Sequence, residues 1–296
     1  MPASFRQVIK RCTSAPFRRQ VRRLLGAGFD AIPDQIITVP GGRKFHIGPD
    51  AIYWPLYMGQ EFEPDATSVI RRLVRPGDHI VDAGANFGWY ASLFAQLVGP
   101  GGRVYAFEPV PATFDRLLEN LQLNGVSDRV STVPAALGSA YGEATIHIFE
   151  QLSHSLSSLS PLGQRNFTGV KVSVVDLDAY LEQQGRTSID ILKCDVEGSE
   201  RAVLQGSRRL LRSDRAPIVV VELNDDTSAA FGYCKGDIWE LLADAGYDHF
   251  YRVESAAAIR PLRGREELLH GDLLIAGKGD RVQTRFAESL RPCRAA

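Results

Sequence analysis

The sequence predicts an α/β protein built on a doubly wound, mostly parallel sheet with helices on both faces. Three observations predict it. From His79 onward, short apolar segments alternate with amphipathic ones. Two apolar segments, 189–194 and Ile218–Leu223, are apolar enough to be buried on both faces, as parallel strands are. A glycine-bearing turn, at residues 83–88, stands where a strand would feed a helix.

The elements follow in order. Between Ile36 and Tyr57, short apolar stretches alternate with Pro40-Gly41-Gly42 and Gly48-Pro49-Asp50, a small β-rich lead-in. Val69, Ile70, Leu73 and Val74 line one face of a helix over 64–74, and Pro76-Gly77 stops it. Residues 79–81 form a short buried strand, Trp89–Val98 a helix, and Arg103–Phe107 the next strand. Phe114, Leu117, Leu118 and Leu121 then mark a helix that begins near Pro111 and is capped by Asn124-Gly125. Val130–Val133 and 144–149 read as extended, and a helix carries Val203, Leu210 and Leu211. A helix over 239–245 precedes strands at 249–253 and 273–276. The Ser- and Leu-rich section 151–168 has no period and is the candidate lid. The chain divides into a basic leader and lead-in (1–60), a principal domain (61–278) and a C-terminal tail (279–296).

With 296 residues, a net charge of -1, 44% hydrophobic and 23% charged residues, the chain can support a sizeable core. That excludes collagen-like, low-complexity and largely disordered classes. No apolar run approaches the roughly 20 residues that span a bilayer. Cys12, Cys194, Cys234 and Cys293 are scattered and form no CxxC pair, so free thiols and a cytoplasmic setting are expected. The stretch 1–26 carries Arg6, Lys10, Arg11, Arg18, Arg19, Arg22 and Arg23 without one acid. A solvated leader helix is favoured there over a transit peptide or a nucleic-acid arm.

The sharpest chemical signal is Val81-Asp82-Ala83-Gly84-Ala85-Asn86-Phe87-Gly88, a strand ending in a carboxylate, a glycine turn and a helix start. In a doubly wound sheet, ligands bind in the crevice at such strand ends. Glu108 ends the next strand, where an acid can accept both hydroxyls of an adenosine ribose. A dinucleotide site would want G-x-G-x-x-G around its pyrophosphate; here the middle glycine is Asn86, and Asp82 would repel the phosphates. An adenosine carrying a positive amino-acid end suits these charges, and S-adenosyl-L-methionine is such a ligand. An ordinary tight turn is the simpler alternative, disfavoured by the joint presence of Asp82, Gly84, Gly88 and Glu108.

The second signal is Asp190-Ile191-Leu192-Lys193-Cys194-Asp195-Val196-Glu197-Gly198-Ser199-Glu200. Strand alternation puts Lys193, Asp195 and Glu197 on one side for as long as the strand persists. Burying them is costly unless they pair or serve a ligand. A self-satisfied Lys-acid network and a divalent cation on Asp195, Glu197 and Glu222 are the competing readings; nothing in the spacing demands the cation, and no metal is expected.

From Glu63 to Glu222 the chain resembles the FkbM family of S-adenosylmethionine-dependent methyltransferases. The resemblance rests on Phe62-Glu63, Arg75-Pro76-Gly77-Asp78, the 81–88 turn, Ala106-Phe107-Glu108-Pro109, Leu118-Glu119-Asn120 with Asn124, the 192–200 segment and Val221-Glu222. Cys194 departs from the aliphatic residue usual in the family. The resemblance implies a Rossmann-like class I methyltransferase fold and methylation of a hydroxyl on a sugar or natural-product-type small molecule. It implies that Glu63, Asp82, Gly84, Ala85, Asn86, Gly88, Glu108, Pro109 and Asp195 bind the cofactor, and that Asp195 and Glu197 lie beside the transferred methyl. Apart from the resemblance, the hydroxyl proton needs a base, for which Asp195 and Glu197 are the first candidates and His154 on the candidate lid an outsider.

The expected chemistry is in-line displacement, driven by alignment of oxygen, methyl and sulfur. A carboxylate against sulfur would stabilise the ground state more than the transition state, so Asp82 belongs at the amino group or the ribose. The rivals are a non-catalytic adenosine or nucleic-acid binding module on the same fold and an NAD-dependent dehydrogenase. The expected partner is a small hydroxylated acceptor, and a homo-oligomer stays open. Nucleic acid is disfavoured, because no basic stripe is interleaved with aromatics.

Overall fold

A computed structural model describes residues 33–149, 153–158 and 168–288. The basic leader, Cys12, Cys293 and most of the candidate lid lie outside the described residues.

Among the described residues the strands are, in chain order, β1 Gln35–Thr38, β2 Lys44–Ile47, β3 His79–Ala83, β4 Arg103–Phe107, β5 Val130–Val133, β6 Ala135–Gly138, β7 Gly142–Phe149, β8 Ser153–Ser158, β9 Thr168–Asp176, β10 Ile191–Cys194, β11 Ile218–Leu223, β12 His249–Ser255, β13 Ala258–Leu262 and β14 Asp272–Gly277. The longer helices are α1 Pro64–Leu73, α2 Trp89–Val98, α3 Pro111–Leu123, α4 Leu177–Gln183, α5 Glu200–Gln205, α6 Arg208–Arg212, α7 Asp225–Ala230, α8 Lys235–Asp244 and α9 Arg281–Glu288.

The central sheet has eight strands in the order β13-β12-β14-β11-β10-β3-β4-β5. From β11 to β5 neighbouring strands run parallel, whereas β14, β12 and β13 add antiparallel pairs at the other edge. The parallel strands are buried on both faces because helices cover both. Ile80, Val104, Ile191 and Val220 face Leu73, Phe94 and Leu117; Val81, Leu192, Val219 and Val221 face Leu181, Val203, Leu211 and Leu242. The chain lays β4 and β5 on one side of β3 and later returns to place β10 on the other. That reversal opens the crevice at the carboxyl ends of β3 and β10.

Several departures from the sequence reading have physical causes. The helix expected to carry Val203, Leu210 and Leu211 is two helices, α5 and α6, broken at Gly206. A Cβ on Gly206 would lie 2.0 Å from the Gly138 carbonyl, so the chain turns there against β6. Strands β6 to β9 form a second sheet, in the order β6-β9-β7-β8, of which the sequence reading named only 144–149. It packs on Val110, Ala136, Ile146, Ile148 and Val172. Residues 281–288 of the expected tail form α9: Val282 is fully buried, and Arg285 pairs with Asp78 and Asp190.

The lead-in is fastened to the principal domain by two asparagines of the α3 region. The Asn120 amide donates to the Phe87 carbonyl at 2.8 Å and accepts from the His46 N–H at 2.7 Å. Asn124 exchanges hydrogen bonds with the Lys44 N–H and carbonyl at 2.9 and 2.7 Å. The helix behind the glycine turn therefore also anchors the β1–β2 hairpin.

Candidate active site

Strand β3 delivers Asp82 to the crevice with no exposed surface, and among the described residues neither of its carboxylate oxygens has a hydrogen-bond partner. The closest cation is Lys193, whose Nζ stands 3.6 Å from Oδ1, an ion-pair distance beyond hydrogen-bond length. Burial, opposed by Lys193 and reinforced by Asp195, pushes the Asp82 carboxyl up to about 6.

The turn that follows uses up its own donors. Gly84 and Ala85 donate to the Phe107 carbonyl, Asn86 to Glu108, Phe87 to the Asn86 side chain and Gly88 to the Ala85 carbonyl. No N–H of residues 84–88 is left to receive a pyrophosphate. Gly84 and Gly88 both have positive φ. A Cβ on Gly84 would stand 1.9 Å from the Asp195 carbonyl, and one on Gly88 would stand 2.9 Å from Leu117 Cδ1. The close approach expected of a ligand at these glycines is made by the protein's own chain. Asn86 is also left-handed, with φ 50°.

Glu108 follows β4, which lies beside β3 with Ala83 opposite Phe107, so the two acids stand at neighbouring strand ends. One Glu108 oxygen accepts from the Asn86 N–H at 3.0 Å and the other from the Val110 N–H at 2.9 Å. Each keeps acceptor capacity. Burial lifts this carboxyl to about 7 against those two hydrogen bonds. Pro109 and Val110 lead directly into α3.

The remaining acids gather around Lys193. Strand register sets Lys193 opposite Asp82, and its Nζ lies 3.3 Å from Asp195 Oδ2 and 4.7 Å from the centre of the Tyr90 ring. Burial opposes the ammonium, but Asp195, Asp82, Glu63 and Glu222 together outweigh burial and raise its pKa. Glu63 precedes α1 in a left-handed conformation, φ 43°, and accepts a 2.7 Å hydrogen bond from the Tyr90 hydroxyl. Burial and Asp195 raise Glu63 to about 7. Glu197 is left-handed too, φ 51°, and burial, Asp195, Glu200 and Glu63 raise it to about 8. Glu222, near the end of β11, is raised well above the usual range, first by burial and then by Asp195, Glu63 and Glu197.

The alternation expected to align Lys193, Asp195 and Glu197 ends with β10 at Cys194; beyond it the chain coils so that Gly198, φ 106°, sits against Phe231 and Thr227. Glu200, part of the same acidic run, turns away from the crevice. It accepts from the Val196 and Gly198 N–H groups and from the Tyr233 hydroxyl, holding the turn. Cys194 faces the opposite core and is fully buried. The backbone at His154 lies in β8, and its side chain is outside the description. Among the described residues, no group of three His, Cys, Asp or Glu side chains could hold a metal ion, and no helix is long and apolar enough to cross a membrane. Sequence reasoning missed Tyr90, whose only signal is an aromatic in the first turn of the helix after the glycine turn.

Asp82 offers buried oxygens that no donor among the described residues satisfies, and Glu108 offers acceptors at the adjacent strand end. S-adenosylmethionine supplies both partners, an ammonium and a ribose, so the residues present fit it.

The comparisons with known proteins agree. Residues 82–248 match the family model described as the methyltransferase FkbM domain. The chain is 32% identical over 203 residues to the 31-O-demethyl-FK506 methyltransferase FkbM of Streptomyces tacrolimicus, covering 59% of this chain and 74% of that one. It is 33% identical over 201 residues to the methyltransferase sdnD of Sordaria araneosa, covering 57% and 73%. With the hexuronic acid methyltransferase AglP of Haloferax volcanii it shares 27% identity over 187 residues, 62% of this chain and 69% of that one. Both the match across the crevice-forming strands and the identity to FkbM place this chain in one group: it belongs to the FkbM family of S-adenosylmethionine-dependent methyltransferases.

Proposed function

We propose that this methyltransferase methylates a hydroxyl of a sugar or natural-product-type small molecule. The observation that carries the reading is a cluster of half-buried carboxylates, Glu63, Asp195, Glu197 and Glu222, gathered around Lys193 and beside Asp82: it offers proton acceptors next to the site that fits the donor. The names of relatives support an oxygen acceptor: 31-O-demethyl-FK506 methyltransferase, hexuronic acid methyltransferase, and the 2-O-methyltransferase NoeI of Sinorhizobium fredii.

Bound S-adenosylmethionine supplies an activated methyl group on a sulfonium. Glu108 takes the ribose hydroxyls with its remaining lone pairs, while Asp82 and Glu63 receive the cationic amino-acid end. Gly84, Ala85, Asn86, Gly88 and Pro109 shape the turn that sets those acids at their spacing. Asp195 or Glu197 would take the proton of the acceptor hydroxyl. Glu197 is the stronger candidate, because a base with a pKa of about 8 binds the proton firmly yet is partly ionised at neutral pH.

The test is methyl transfer from labelled donor to a panel of neutral hydroxylated acceptors, run for the native protein and for Glu197→Gln. The expected result is product with a methyl ether bond and, in the variant, a fall in kcat of about a hundredfold with donor affinity within about threefold. Native protein that binds donor but transfers nothing in a single turnover would favour the non-catalytic binding module. Undiminished turnover in Glu197→Gln moves the base to Asp195.

A further inference from the structure

We propose that Lys193 sets how strongly the site prefers the sulfonium form of its cofactor over the demethylated thioether. The inference rests on the reading that Asp82 and its neighbours receive the cationic end of the donor. Lys193 is 4% exposed at its side chain, so its charge is fixed inside the crevice. It arrives there by strand register: opposite Asp82 on β3 and Val220 on β11, on the face that carries Glu222. Asp82, Asp195, Glu63 and Glu222 surround it from separate elements, and the Tyr90 ring covers it from α2. Lys193 thus occupies the acid cluster as a permanent resident cation.

The consequence is electrostatic. S-adenosylmethionine carries one more positive charge than S-adenosylhomocysteine, and that charge is on the sulfur. Without a counter-ion, the ionised carboxylates of this cluster would hold the sulfonium more tightly than the neutral thioether. Such a preference stabilises the reactant relative to the transition state, in which the sulfur loses its charge. Lys193 offsets part of that field. It does so without consuming the Asp82 acceptors, since 3.6 Å is too long for a hydrogen bond. The field at the sulfur is therefore lowered while the ligand-binding oxygens stay available.

The experiment measures dissociation constants of S-adenosylmethionine, S-adenosylhomocysteine and sinefungin, which carries an amine where the sulfonium methyl would be, by calorimetry on the native chain and on Lys193→Met. The expected result is a rise of about tenfold in the affinity ratio of S-adenosylmethionine to S-adenosylhomocysteine in the variant, with sinefungin following the charged ligand. A loss of packing alone would weaken all three ligands together, so an unchanged ratio overturns the proposal. If Lys193→Met does not fold, Asp195→Asn serves. It removes one negative charge from the same cluster and must lower the ratio at least about threefold; no fall overturns the proposal. Asp82→Asn separates the two failures. If it leaves the affinity for all three ligands unchanged, the reading of Asp82 as the cation receiver fails; if it weakens binding while the Lys193→Met ratio stays constant, Lys193 alone loses its role.

Discussion

Gly84 has no room for a side chain. Its φ of 78° and the Asp195 carbonyl 1.9 Å from an added Cβ leave Ala no relaxed position. Gly84→Ala should lower stability by about 3 kcal/mol or more, read from urea unfolding, because backbone rather than a flexible side chain must move. A neighbouring acid tests binding rather than folding. Glu108→Gln keeps an acceptor for one turn N–H and loses the charge, so donor affinity measured by calorimetry should fall about tenfold or more. Equal affinity in that variant would falsify the ribose assignment. At this scale much was legible. Asp82, Glu108 and the Asp195–Glu197 pair stand out as acids at strand ends, where charge needs a reason. Tyr90 was not legible, since an aromatic in a helix reads as core until its hydroxyl is seen donating to Glu63. Glu200 misled in the opposite direction, its partners being backbone groups of the turn that it closes.

Among elements, the parallel strands were legible because burial on both faces leaves near-continuous apolar runs, and α3 because its apolar residues keep helical spacing. The second sheet was not. Strand β9 is half exposed, and it finds its partners β6 and β7 across a stretch whose composition gives no period. The α5–α6 break was hidden as well, for it depends on how near Gly138 comes to Gly206, a contact between segments far apart in the chain. Helix α3 joins two tasks, since Asn120 holds the turn at Phe87 and the hairpin at His46. Asn120→Ala leaves buried partners unmatched on both sides and should cost about 2 to 3 kcal/mol. Donor affinity should weaken with it, because the carbonyl of Phe87 loses its tether. Stability loss with unaltered donor affinity would show that the hairpin and the turn are not coupled through this residue.

Across the whole molecule, the raised acids make stability depend on pH. Glu63, Asp82, Glu108 and Glu197 stand at about 7, 6, 7 and 8, against ordinary values of 4.5, 3.8, 4.5 and 4.5. Between those limits the folded protein holds protons that the unfolded chain has released, so stability falls as pH rises from about 4.5 to about 8. Lys193 stays charged throughout that window and adds no slope. The melting temperature of the ligand-free protein should therefore drop between pH 5 and pH 8, and the shift produced by S-adenosylmethionine should be larger at pH 7.5 than at pH 6. A melting temperature that climbs across the same interval would contradict the burial of these acids.

The unmatched oxygens of Asp82 reach beyond the chemistry of one turnover. A carboxylate that no donor among the described residues satisfies makes the empty protein easier to open, and a ligand that satisfies it stabilises the folded form in proportion to the logarithm of its concentration. Resistance of the folded protein to proteases should then rise with the concentration of methyl donor. Limited digestion with and without donor reads that dependence directly, and Asp82→Asn should shift it to higher donor concentration while leaving the empty protein harder to cut.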